Sequence, residues 1–575
     1  MSVGSWRAKA EAWMASDPDP ETVAATQRLL EAGDEAALED HFGTELAFGT
    51  AGLRGQMGPG PNRMNRANVR RVTAGLAAYL LGEVPDAAVR GVVVAFDARR
   101  NSRVFAEDTA RTLAVAGLRV FLCDDVEPTP FLGYAVIQLG ACAGVVVTAS
   151  HNPPADNGYK VFWGNGAQII PPHDSGIAAC VARAEVAADL PALASLTEHV
   201  VAVPGEMRER YLSDILALRV HHSTGARLVY TAMHGVGTPL ILEALNRAGH
   251  TDVHLVAEQC TPDGSFPTVA FPNPEEPGAL DLAKALAARV GADAVFASDP
   301  DADRLAVAIP DAQGVWHQLT GNQVGLLLAE DLLQHGDAGG ATRLVANSIV
   351  SSTMLERIAA AHGARFEATL TGFKWIADAA LRAADEGDAF IFGFEEALGY
   401  SVGPVVRDKD GVSAALVMAD LVAWAKSRGE TLWDRLDALY RQHGVFLSRQ
   451  KSLTLPGADG RARIAQLMAT LRESPPSSLA GRAVVRWRDL LEGTARQADG
   501  SVERVALPKS NVLAFDLSDG SRMLARPSGT EPKIKFYVEA REEVGEDGVQ
   551  AAVGRASVLA DALLQDLLTP VGIEP

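Results

Sequence analysis

The chain has 575 residues, of which 47% are hydrophobic and 22% are charged. A chain of this length exceeds one typical domain and can fill several cores, so we expect a soluble globular protein of three to four domains. The 52 Lys and Arg against 72 Asp and Glu give a formal charge of −20, which argues against nucleic-acid or anionic-membrane partners.

The cysteines and the first residues of the chain indicate a reducing compartment. Cys123, Cys142, Cys180 and Cys260 form no CxxC pair, which argues against a zinc site or a disulfide framework. The first fifteen residues mix charged and apolar side chains and lack the continuous apolar stretch of a signal peptide. We therefore expect a cytoplasmic protein, with both a monomer and a homodimer left open.

In chain order, a recurring unit is an apolar strand that runs directly into a polar or Gly-rich loop. Such strands are predicted at residues 92–96, 145–147, 228–230, 294–297 and 390–392. Segments with helical spacing, such as 102–117 and 280–290, separate them. This alternation predicts α/β domains with buried, mixed or parallel sheets, in which ligand-handling residues follow the carboxyl ends of the strands.

The predicted fold class is multidomain α/β, with three α/β domains and a C-terminal α+β domain around a central cleft. Pro- and Gly-rich segments suggest the limits of these domains. They are 1–215, 216–335, 336–455 and 456–575. Residues 128–155 contain no charged side chain, but they divide into a helical piece and a Val-rich strand, so we expect no membrane span.

The first strand-end loop of chemical interest contains Ser150. Pro153 and Pro154 stiffen the turn, which leaves the hydroxyl exposed with little freedom, as a covalent phosphoryl carrier requires. His151 adjoins the serine, and Lys160 follows ten residues on as a source of positive charge or proton transfer. A turn without a role and a hydrolase nucleophile are the other interpretations, although no GxSxG elbow surrounds the serine.

A second loop places Asp299, Asp301 and Asp303 at alternate positions after an apolar strand, so a curled loop can direct all three carboxylates at one hard cation. Magnesium is the expected occupant, with Ser150 contributing to its shell and Arg304 adding a fixed cation beside it. An EF-hand would need Gly and Glu at its sixth and twelfth positions, where this chain has Arg and Pro. A solvated acidic turn is the plainer alternative.

Later loops suit a sugar and its phosphate. Residues 393–400 place two carboxylates, Glu395 first, in a Gly-bounded loop that suits vicinal sugar hydroxyls, although the start of a helix is an equally good interpretation. The 371–374 loop, with Thr371, Gly372 and Lys374, offers a further cation.

Two more loops carry arginine. The segment 526–533 combines a guanidinium, two hydroxyls, a close-approach glycine and an ammonium, as a phosphate site needs, unless it is an ordinary turn. The groups in question are Arg526, Ser528, Gly529, Thr530 and Lys533. Near the start of the chain, Arg54 lies in a Gly-rich loop and can steady a transferring phosphoryl group.

Taken in order, these motifs resemble the α-D-phosphohexomutase family, which includes phosphoglucomutases and phosphomannomutases. The branch with phosphopentomutase and glucose-1,6-bisphosphate synthase is the most similar. The motifs are GTAGLRG at 49–55, TASHNP at 148–153, FPNPEE at 271–276, DPDADR at 299–304, FEEALGY at 394–400, DKDG at 408–411 and RPSGTEPK at 526–533.

The resemblance implies a role for each matched residue. Ser150 would be the phosphoserine, the three aspartates would hold Mg²⁺, and Arg54 and Lys160 would assist proton and phosphoryl transfer. Glu395 would bind sugar hydroxyls, and Arg526, Ser528 and Thr530 would clamp the distal phosphate. In the hexose-specific pattern a serine follows the Glu by two positions, whereas this chain has Ala397, which cannot hydrogen-bond.

The implied reaction interconverts sugar 1-phosphate and sugar 6-phosphate through a sugar 1,6-bisphosphate, which is both intermediate and activator. Phosphoglucomutase activity is the leading expectation, with phosphomannomutase, phosphopentomutase and sugar-1,6-bisphosphate synthase as alternatives. A serine phosphohydrolase and a noncatalytic phosphosugar sensor are further alternatives. The sequence does not separate glucose, mannose and pentose phosphates.

Overall fold

The protein is described by a computed structural model, which covers residues 4–49, 52–185, 189–455, 458–528 and 533–568. The chain opens with three helices, α1 (Gly4–Ser16), α2 (Pro20–Ala32) and α3 (Glu35–Phe42). Asp19 and Asp34 cap α2 and α3 by accepting hydrogen bonds from the backbone N–H of Glu21 and Ala37. The three helices pack around their own small apolar cluster ahead of the first sheet.

The first sheet is mixed and has six strands in the order β1-β5-β4-β2-β3-β6. The strands are β1 (Leu53–Gln56), β2 (Val92–Phe96), β3 (Val120–Leu122), β4 (Ala143–Val147), β5 (Asp156–Trp163) and β6 (Val200–Ala202). The helices are α4 (Arg66–Glu83), α5 (Ala87–Arg90), α6 (Ser102–Val115), α7 (Thr129–Gln138), α8 (His173–Val181) and α9 (Glu206–Leu216), with a 3₁₀ turn at Leu193–Ser195. Strand β2 is parallel to β3 and β4, and β5 is antiparallel to β4.

The second sheet has five strands in the order β11-β10-β9-β7-β8. They are β7 (Leu228–Thr231), β8 (Val253–Leu255), β9 (Ala294–Ser298), β10 (Leu305–Pro310) and β11 (Trp316–Gln318), with helices α10 (Thr238–Arg247) and α11 (Asp281–Val290). Strands β9 and β10 are antiparallel, so the aspartate-rich segment 299–304 forms the turn between them.

The third sheet has four strands in the order β13-β12-β14-β15. They are β12 (Arg343–Ser348), β13 (Arg365–Thr369), β14 (Ala389–Glu395) and β15 (Gly399–Val402). The surrounding helices are α12 (Gly321–His335), α13 (Met354–Ala361), α14 (Phe373–Asp385), α15 (Gly411–Ser427) and α16 (Leu432–His443). Helix α12 packs against β14.

The C-terminal part is an antiparallel sheet with two helices. Its strands are β16 (Val445–Thr454), β17 (Ser478–Leu479), β18 (Arg482–Asp489), β19 (Thr494–Gln497), β20 (Val502–Arg504), β21 (Leu513–Leu517), β22 (Arg522–Pro527) and β23 (Lys533–Glu542). Its helices are α17 (Ala458–Glu473) and α18 (Val549–Leu568). Three mixed α/β sheets followed by an α+β unit confirm the predicted fold class, while the domain limits stay predictions.

The predicted strands form because their side chains are buried on both faces, as the Val-rich strands β2 and β4 are throughout. One large apolar cluster extends from the first sheet to the C-terminal helix and so joins all four parts. The uncharged segment 128–155 divides into α7 and β4, as expected. Within the described ranges, no helix is long and apolar enough to cross a membrane.

Candidate active site

Ser150 lies in the loop between β4 and β5, where its side chain is buried. Its Oγ donates a 2.7 Å hydrogen bond to Asp299 Oδ2 and lies 3.1 Å from His151 Nδ1. The backbone at Ser150 has φ of 51°, a left-handed conformation that costs a non-glycine residue about 1–3 kcal/mol. Such a conformation persists only where the surroundings impose it.

Arg99 supplies much of that constraint. Its guanidinium donates to four carbonyl oxygens of the serine loop, at 2.6 Å to Ser150 and Asn152, 2.8 Å to Pro153 and 3.2 Å to Asp156. The arginine is 4% exposed, and burial lowers its pKa. This residue was not among the sequence-based candidates. Its position just after β2, in the same kind of strand-end loop as the serine, is the sequence signal that could have marked it, although that position does not specify its partners.

Asp97 and Thr148 complete this support. Asp97 Oδ2 lies 3.4 Å from Arg99 Nε and accepts a 2.7 Å hydrogen bond from Thr148 Oγ1. Thr148 Oγ1 in turn accepts the backbone N–H of Ser150 at 2.8 Å. Hydrogen bonds to its N–H, its carbonyl and its hydroxyl therefore hold Ser150 in position.

The three predicted metal ligands lie together in the turn between β9 and β10. Asp299, Asp301 and Asp303 are buried, and one carboxylate oxygen from each lies within 4.8 Å of the others. Among the described residues, Asp301 Oδ1 and Asp303 Oδ1 find no hydrogen-bond partner. Buried carboxylate oxygens without donors are what a hard cation with oxygen ligands would satisfy, so this residue set fits a magnesium ion.

Two lysines offset part of the negative charge of the aspartate triad. Lys160 Nζ lies 2.8 Å from Asp301 Oδ2 and 3.1 Å from Asp303 Oδ2, and Lys409 Nζ lies 3.0 Å from Asp303 Oδ2. Burial raises the pKa of Asp301, but Lys160 and Thr129, whose Oγ1 donates at 2.7 Å, outweigh it and the net pKa is lowered. Lys409 and Thr129 had no predicted role.

The pKa of Asp299 shifts in the opposite direction to the pKa values of Asp301 and Asp303. Burial and the charges of Asp301 and Asp303 raise its pKa well above the usual range. Asp299 Oδ1 accepts a 3.1 Å hydrogen bond from the backbone N–H of Arg304, and Oδ2 accepts the hydrogen bond from the Ser150 hydroxyl. The triad therefore holds more negative charge than the protein alone accommodates easily, as expected of a cation site.

Arg304 connects the triad to the next part of the cleft. Its Nε lies 3.9 Å from Asp299 Oδ2 and 4.0 Å from Asp303 Oδ1, while a terminal nitrogen lies 3.5 Å from Glu275 Oε2. Burial raises the pKa of Glu275, partly offset by Arg304. Glu275 belongs to the FPNPEE motif, for which no role was predicted.

The sugar-loop candidates come together at the end of β14. Glu395 Oε1 accepts the backbone N–H of Gly372 at 2.7 Å, and burial followed by repulsion from Glu396 raises the pKa of Glu395 to about 7. The segment forms a tight turn into β15 and not a helix, so the helical alternative is wrong. Ala397 is partly exposed in that turn.

Thr371 and Lys374 flank Gly372, which donates to Glu395 in this turn. Within the described part of the chain, Thr371 Oγ1 and Lys374 Nζ are buried without hydrogen bonds. Lys374 is 8% exposed, and burial lowers its pKa. The ammonium of Lys374 lies over the Trp375 ring, 5.4 Å from its centroid, but a buried ammonium without a hydrogen bond is costly. Such a group is typical of a site that binds an anionic or hydroxylated ligand.

Of the phosphate candidates, Arg526 lies on β22, Ser528 directly follows that strand, and Lys533 begins β23 of the C-terminal sheet. Arg526 pairs across the ladder with Lys535, and the backbone N–H of Ser528 donates to the carbonyl of Lys533 at 2.7 Å. Gly529 and Thr530 lie outside the described residues. Lys535 is partly buried, and the sequence analysis did not single it out.

The charges of two acidic residues, Glu396 and Glu275, act on this basic group. Burial and then Lys533 lower the pKa of Lys535, and Arg526 lowers it further, whereas Glu396 and Glu275 raise it. Glu275 also lies 3.5 Å from Arg304, which borders the aspartate triad, so this glutamate lies within electrostatic reach of both the basic group and the triad.

The remaining candidate, Arg54, lies on β1 at the rim of the serine loop. Its side chain is exposed and donates a 3.2 Å hydrogen bond to Asn152 Oδ1. Close packing joins the metal turn to the third sheet as well: a Cβ on Gly411 would lie 2.5 Å from Arg304 O and 2.7 Å from Ala302 O. Loops from all three α/β sheets therefore converge on the triad.

The four sheets and the converging loops define the architecture of a four-domain phosphosugar-converting enzyme, and comparison with known families agrees. Four family models match, described as phosphoglucomutase/phosphomannomutase α/β/α domains I, II and III and the C-terminal domain. They match residues 45–187, 209–314, 320–443 and 481–556. The chain belongs to the phosphoglucomutase/phosphomannomutase family, whose members are mutases that act on small phosphosugars, and the predicted resemblance is confirmed.

Individual relatives support the same assignment. A Haemophilus influenzae protein named "probable phosphomannomutase" is 44% identical over 486 residues, covering 83% of this chain and 93% of that protein. The phosphopentomutase of Homo sapiens is 36% identical over 586 residues, covering 97% and 95%. The crystal structure of a phosphoglucomutase/phosphomannomutase family protein from Burkholderia thailandensis shares the fold, with a TM-score of 0.67, 21% identity and coverage of 92% and 99%.

Proposed function

We propose that this chain is a magnesium-dependent phosphosugar mutase that transfers a phosphoryl group between the C1 and C6 hydroxyls of a sugar through phospho-Ser150. The observation that carries the proposal is the 2.7 Å hydrogen bond from Ser150 Oγ to Asp299, which lies in a cluster of three buried carboxylates. Among the described residues, the other two, Asp301 and Asp303, each have one oxygen without a hydrogen-bond partner. A nucleophile beside a cation site is what reversible phosphoryl transfer requires.

Asp299, Asp301 and Asp303 would hold the magnesium ion, with Ser150 beside it. When bound, Mg²⁺ would neutralise charge that develops on the transferring phosphoryl group. Lys160 and Lys409 would keep the carboxylates in place and add positive charge around the reacting atoms.

In the first half of the reaction, the free hydroxyl of a sugar monophosphate attacks the phosphorus of phospho-Ser150. The bond between phosphorus and Ser150 Oγ breaks, the sugar bisphosphate forms, and the sugar hydroxyl loses its proton. His151 is the base we propose for this proton, because burial and then Arg304 and Arg54 lower its pKa, which favours its neutral, basic form.

Lys160 would be the acid that protonates the departing Ser150 Oγ: burial lowers its pKa, but Asp301 and Asp303 outweigh that effect, so the net pKa is raised and the side chain stays an ammonium. Arg54 reaches the rim of the serine loop, where it can steady the moving phosphoryl group.

The second half requires the bisphosphate to turn over, so that its other phosphate returns a phosphoryl group to Ser150. Arg526, Ser528, Thr530 and Lys533 would hold the phosphate that is not reacting, with Gly529 allowing close backbone approach. Glu395 would orient the sugar through two hydroxyls, supported by Gly372, Thr371 and Lys374. Sugar 1,6-bisphosphate would also prime the enzyme by phosphorylating the serine.

Phosphoglucomutase activity is our leading assignment for the substrate. Phosphopentomutase is the second candidate, because named phosphopentomutases align with 97% of this chain and because Ala397 lacks the hydroxyl of the hexose pattern. Phosphomannomutase and sugar-1,6-bisphosphate synthase activities are further candidates. We also propose the cytoplasm as its compartment, since all four cysteines are free thiols.

A conversion assay tests this assignment directly. Purified protein is given glucose, mannose, ribose and deoxyribose 1-phosphates in parallel, with catalytic sugar 1,6-bisphosphate, with and without Mg²⁺. We expect the greatest kcat/KM with glucose 1-phosphate and no turnover without the metal. Preference for a pentose would transfer the assignment to phosphopentomutase, whereas stoichiometric release of inorganic phosphate without isomerisation would contradict the mutase proposal.

A further inference from the structure

A second cluster of metal-binding side chains lies outside the cleft. Asp331 and His335 are one turn apart on α12, and His221 comes from the segment between α9 and β7. One ligand atom from each lies within 4.8 Å of the others. His221 Nε2 is 2.8 Å and His335 Nε2 is 3.9 Å from Asp331 Oδ1.

The surroundings hold these rings in place. The His221 ring stacks on Trp424 of α15, with centroids 4.6 Å apart and planes at 15°, and the His335 ring meets the edge of the same indole at 5.0 Å. The side chains of His221 and Asp331 are 7% and 5% exposed, whereas that of His335 is 28% exposed. The buried side chains of His221 and Asp331 are therefore held in place, while the partly exposed His335 lies where solvent reaches the site.

We propose that His221, Asp331 and His335 form a binding site for a divalent transition metal of the zinc type. Two imidazoles and a carboxylate are ligands that zinc prefers, and water would occupy the open position. A tetrahedral zinc with bonds of about 2.1 Å separates its ligands by about 3.4 Å, within the range of separations at this cluster.

Two arginines near the site oppose a bound cation, and two carboxylates, Glu430 and Asp331, offset their charge. The guanidinium groups of Arg428 and Arg435 lie over the Trp424 ring at 5.1 and 4.9 Å. Glu430 lies between them, 3.6 Å from Arg428 and 3.5 Å from Arg435, and offsets part of their charge. Asp331 remains the buried negative group at the ligand position.

The site would act as a structural crosslink. His221 belongs to the connection between the first and second sheets, Asp331 and His335 to a helix that packs on the third sheet, and Trp424 to a neighbouring helix. A metal at this junction would fix the connection to α12. Because none of these residues belongs to the proposed catalytic machinery, the metal should raise thermal stability and leave turnover unchanged.

Zinc titration of the full-length protein, by calorimetry in saturating Mg²⁺ to occupy the aspartate triad, tests the site. We expect one zinc per chain in the wild type and affinity more than about tenfold weaker in His335→Ala. His317→Ala is the matched control, because His317 also pairs with a carboxylate, Asp311, at 2.8 Å but belongs to no three-ligand cluster of the described residues. His335→Gln serves as a second variant if the alanine variant unfolds.

Two outcomes would overturn the proposal: no zinc binding by the wild type under saturating Mg²⁺, or equal zinc affinity in the wild type and both His335 variants. Anomalous diffraction at the zinc edge gives a direct check, since the expected peak lies among His221, Asp331 and His335. A peak only at the aspartate triad would also refute it. Thermal unfolding with and without zinc should show an increase in Tm for the wild type and the His317 variant alone.

Discussion

Ser150 Oγ and Asp299 Oδ2 are 2.7 Å apart, although 149 positions separate the two residues and they follow strands of different sheets. The loop after β4 and the turn after β9 therefore meet across the boundary between the first two sheets. This contact brings a nucleophile to the edge of a carboxylate cluster, and the proposed chemistry depends on it.

Asp301→Asn should weaken Mg²⁺ binding and turnover together. The substitution removes one charge from the triad and leaves Lys160 without its 2.8 Å carboxylate partner. Loss of metal stabilisation worth several kcal/mol predicts a decrease in kcat of about a thousandfold. Steady-state kinetics against Mg²⁺ concentration measures this effect, and a chelator should abolish wild-type turnover until Mg²⁺ is restored.

Asp311→Asn is the control for that variant, because Asp311 also begins a turn after a strand and accepts the N–H groups of Gln313 and Val315 at 2.9 and 2.8 Å. Its kinetics should match the wild type. Equal Mg²⁺ dependence in the Asp301 variant and this control would refute a metal at the triad.

Arg99→Lys should lower kcat with little change in KM, because an ammonium cannot reach the four carbonyls that the guanidinium binds. Displacement of the serine by about 1 Å is sufficient to reduce the rate about a hundredfold. The matched control is Arg103→Lys, since Arg103 is exposed and donates to one carbonyl, that of Asp124, at 3.0 Å. A wild-type kcat in the Arg99 variant would show that the loop holds its own conformation.

The pH dependence of kcat/KM should include a contribution from Glu395. Its raised pKa of about 7 means that the carboxylate is protonated as the pH falls through 7, and the protonated form loses acceptor capacity for two sugar hydroxyls. We expect kcat/KM to decrease from about pH 8 to about pH 6, chiefly through KM.

The phosphate of the substrate titrates near pH 6, so the comparison needs Glu395→Gln, which keeps the shape of the side chain and does not titrate. The difference between the two pH profiles isolates the glutamate. Profiles of identical shape would rule out a role for its ionisation.

Arg526→Met should raise KM and lower kcat, because the distal phosphate contributes binding energy to both the ground state and the transition state. Loss of a charge-assisted contact worth about 3 kcal/mol predicts a decrease in kcat/KM of about a hundredfold. Arg496→Met, at an exposed arginine of the same sheet that lies over Trp487, is the control. Indistinguishable kinetics for the two variants would remove Arg526 from the substrate site.

The sequence predicted those features that local patterns encode. Val-rich strands such as β4 are recognisable because burial on both faces requires continuous apolar residues. The aspartates at 299, 301 and 303 stand out because alternate positions of one turn can meet a single cation. The ambiguity of the segment around Glu395 was also local, since Gly and Glu suit both a helix start and a tight turn.

Contacts between distant segments were not predictable in this way. Arg99 reaches carbonyls more than fifty positions away, and Lys409 reaches Asp303 from the loop between β15 and α15. Nothing in the residues around Arg99 or Lys409 specifies those partners, because the packing of whole sheets determines them. The same is true of Glu275 and Arg304, and of His221 with Asp331.

Phosphorylation of Ser150 tests the central claim most directly. Purified protein is incubated with glucose 1,6-bisphosphate and Mg²⁺, and the peptide that contains Ser150 is analysed by mass spectrometry beside the Ser150→Ala variant. We predict one phosphoryl group on Ser150, its transfer to added sugar monophosphate, and loss of isomerisation in the variant. Isomerisation at the wild-type rate by Ser150→Ala, or a phosphoryl group on another residue, would contradict the account.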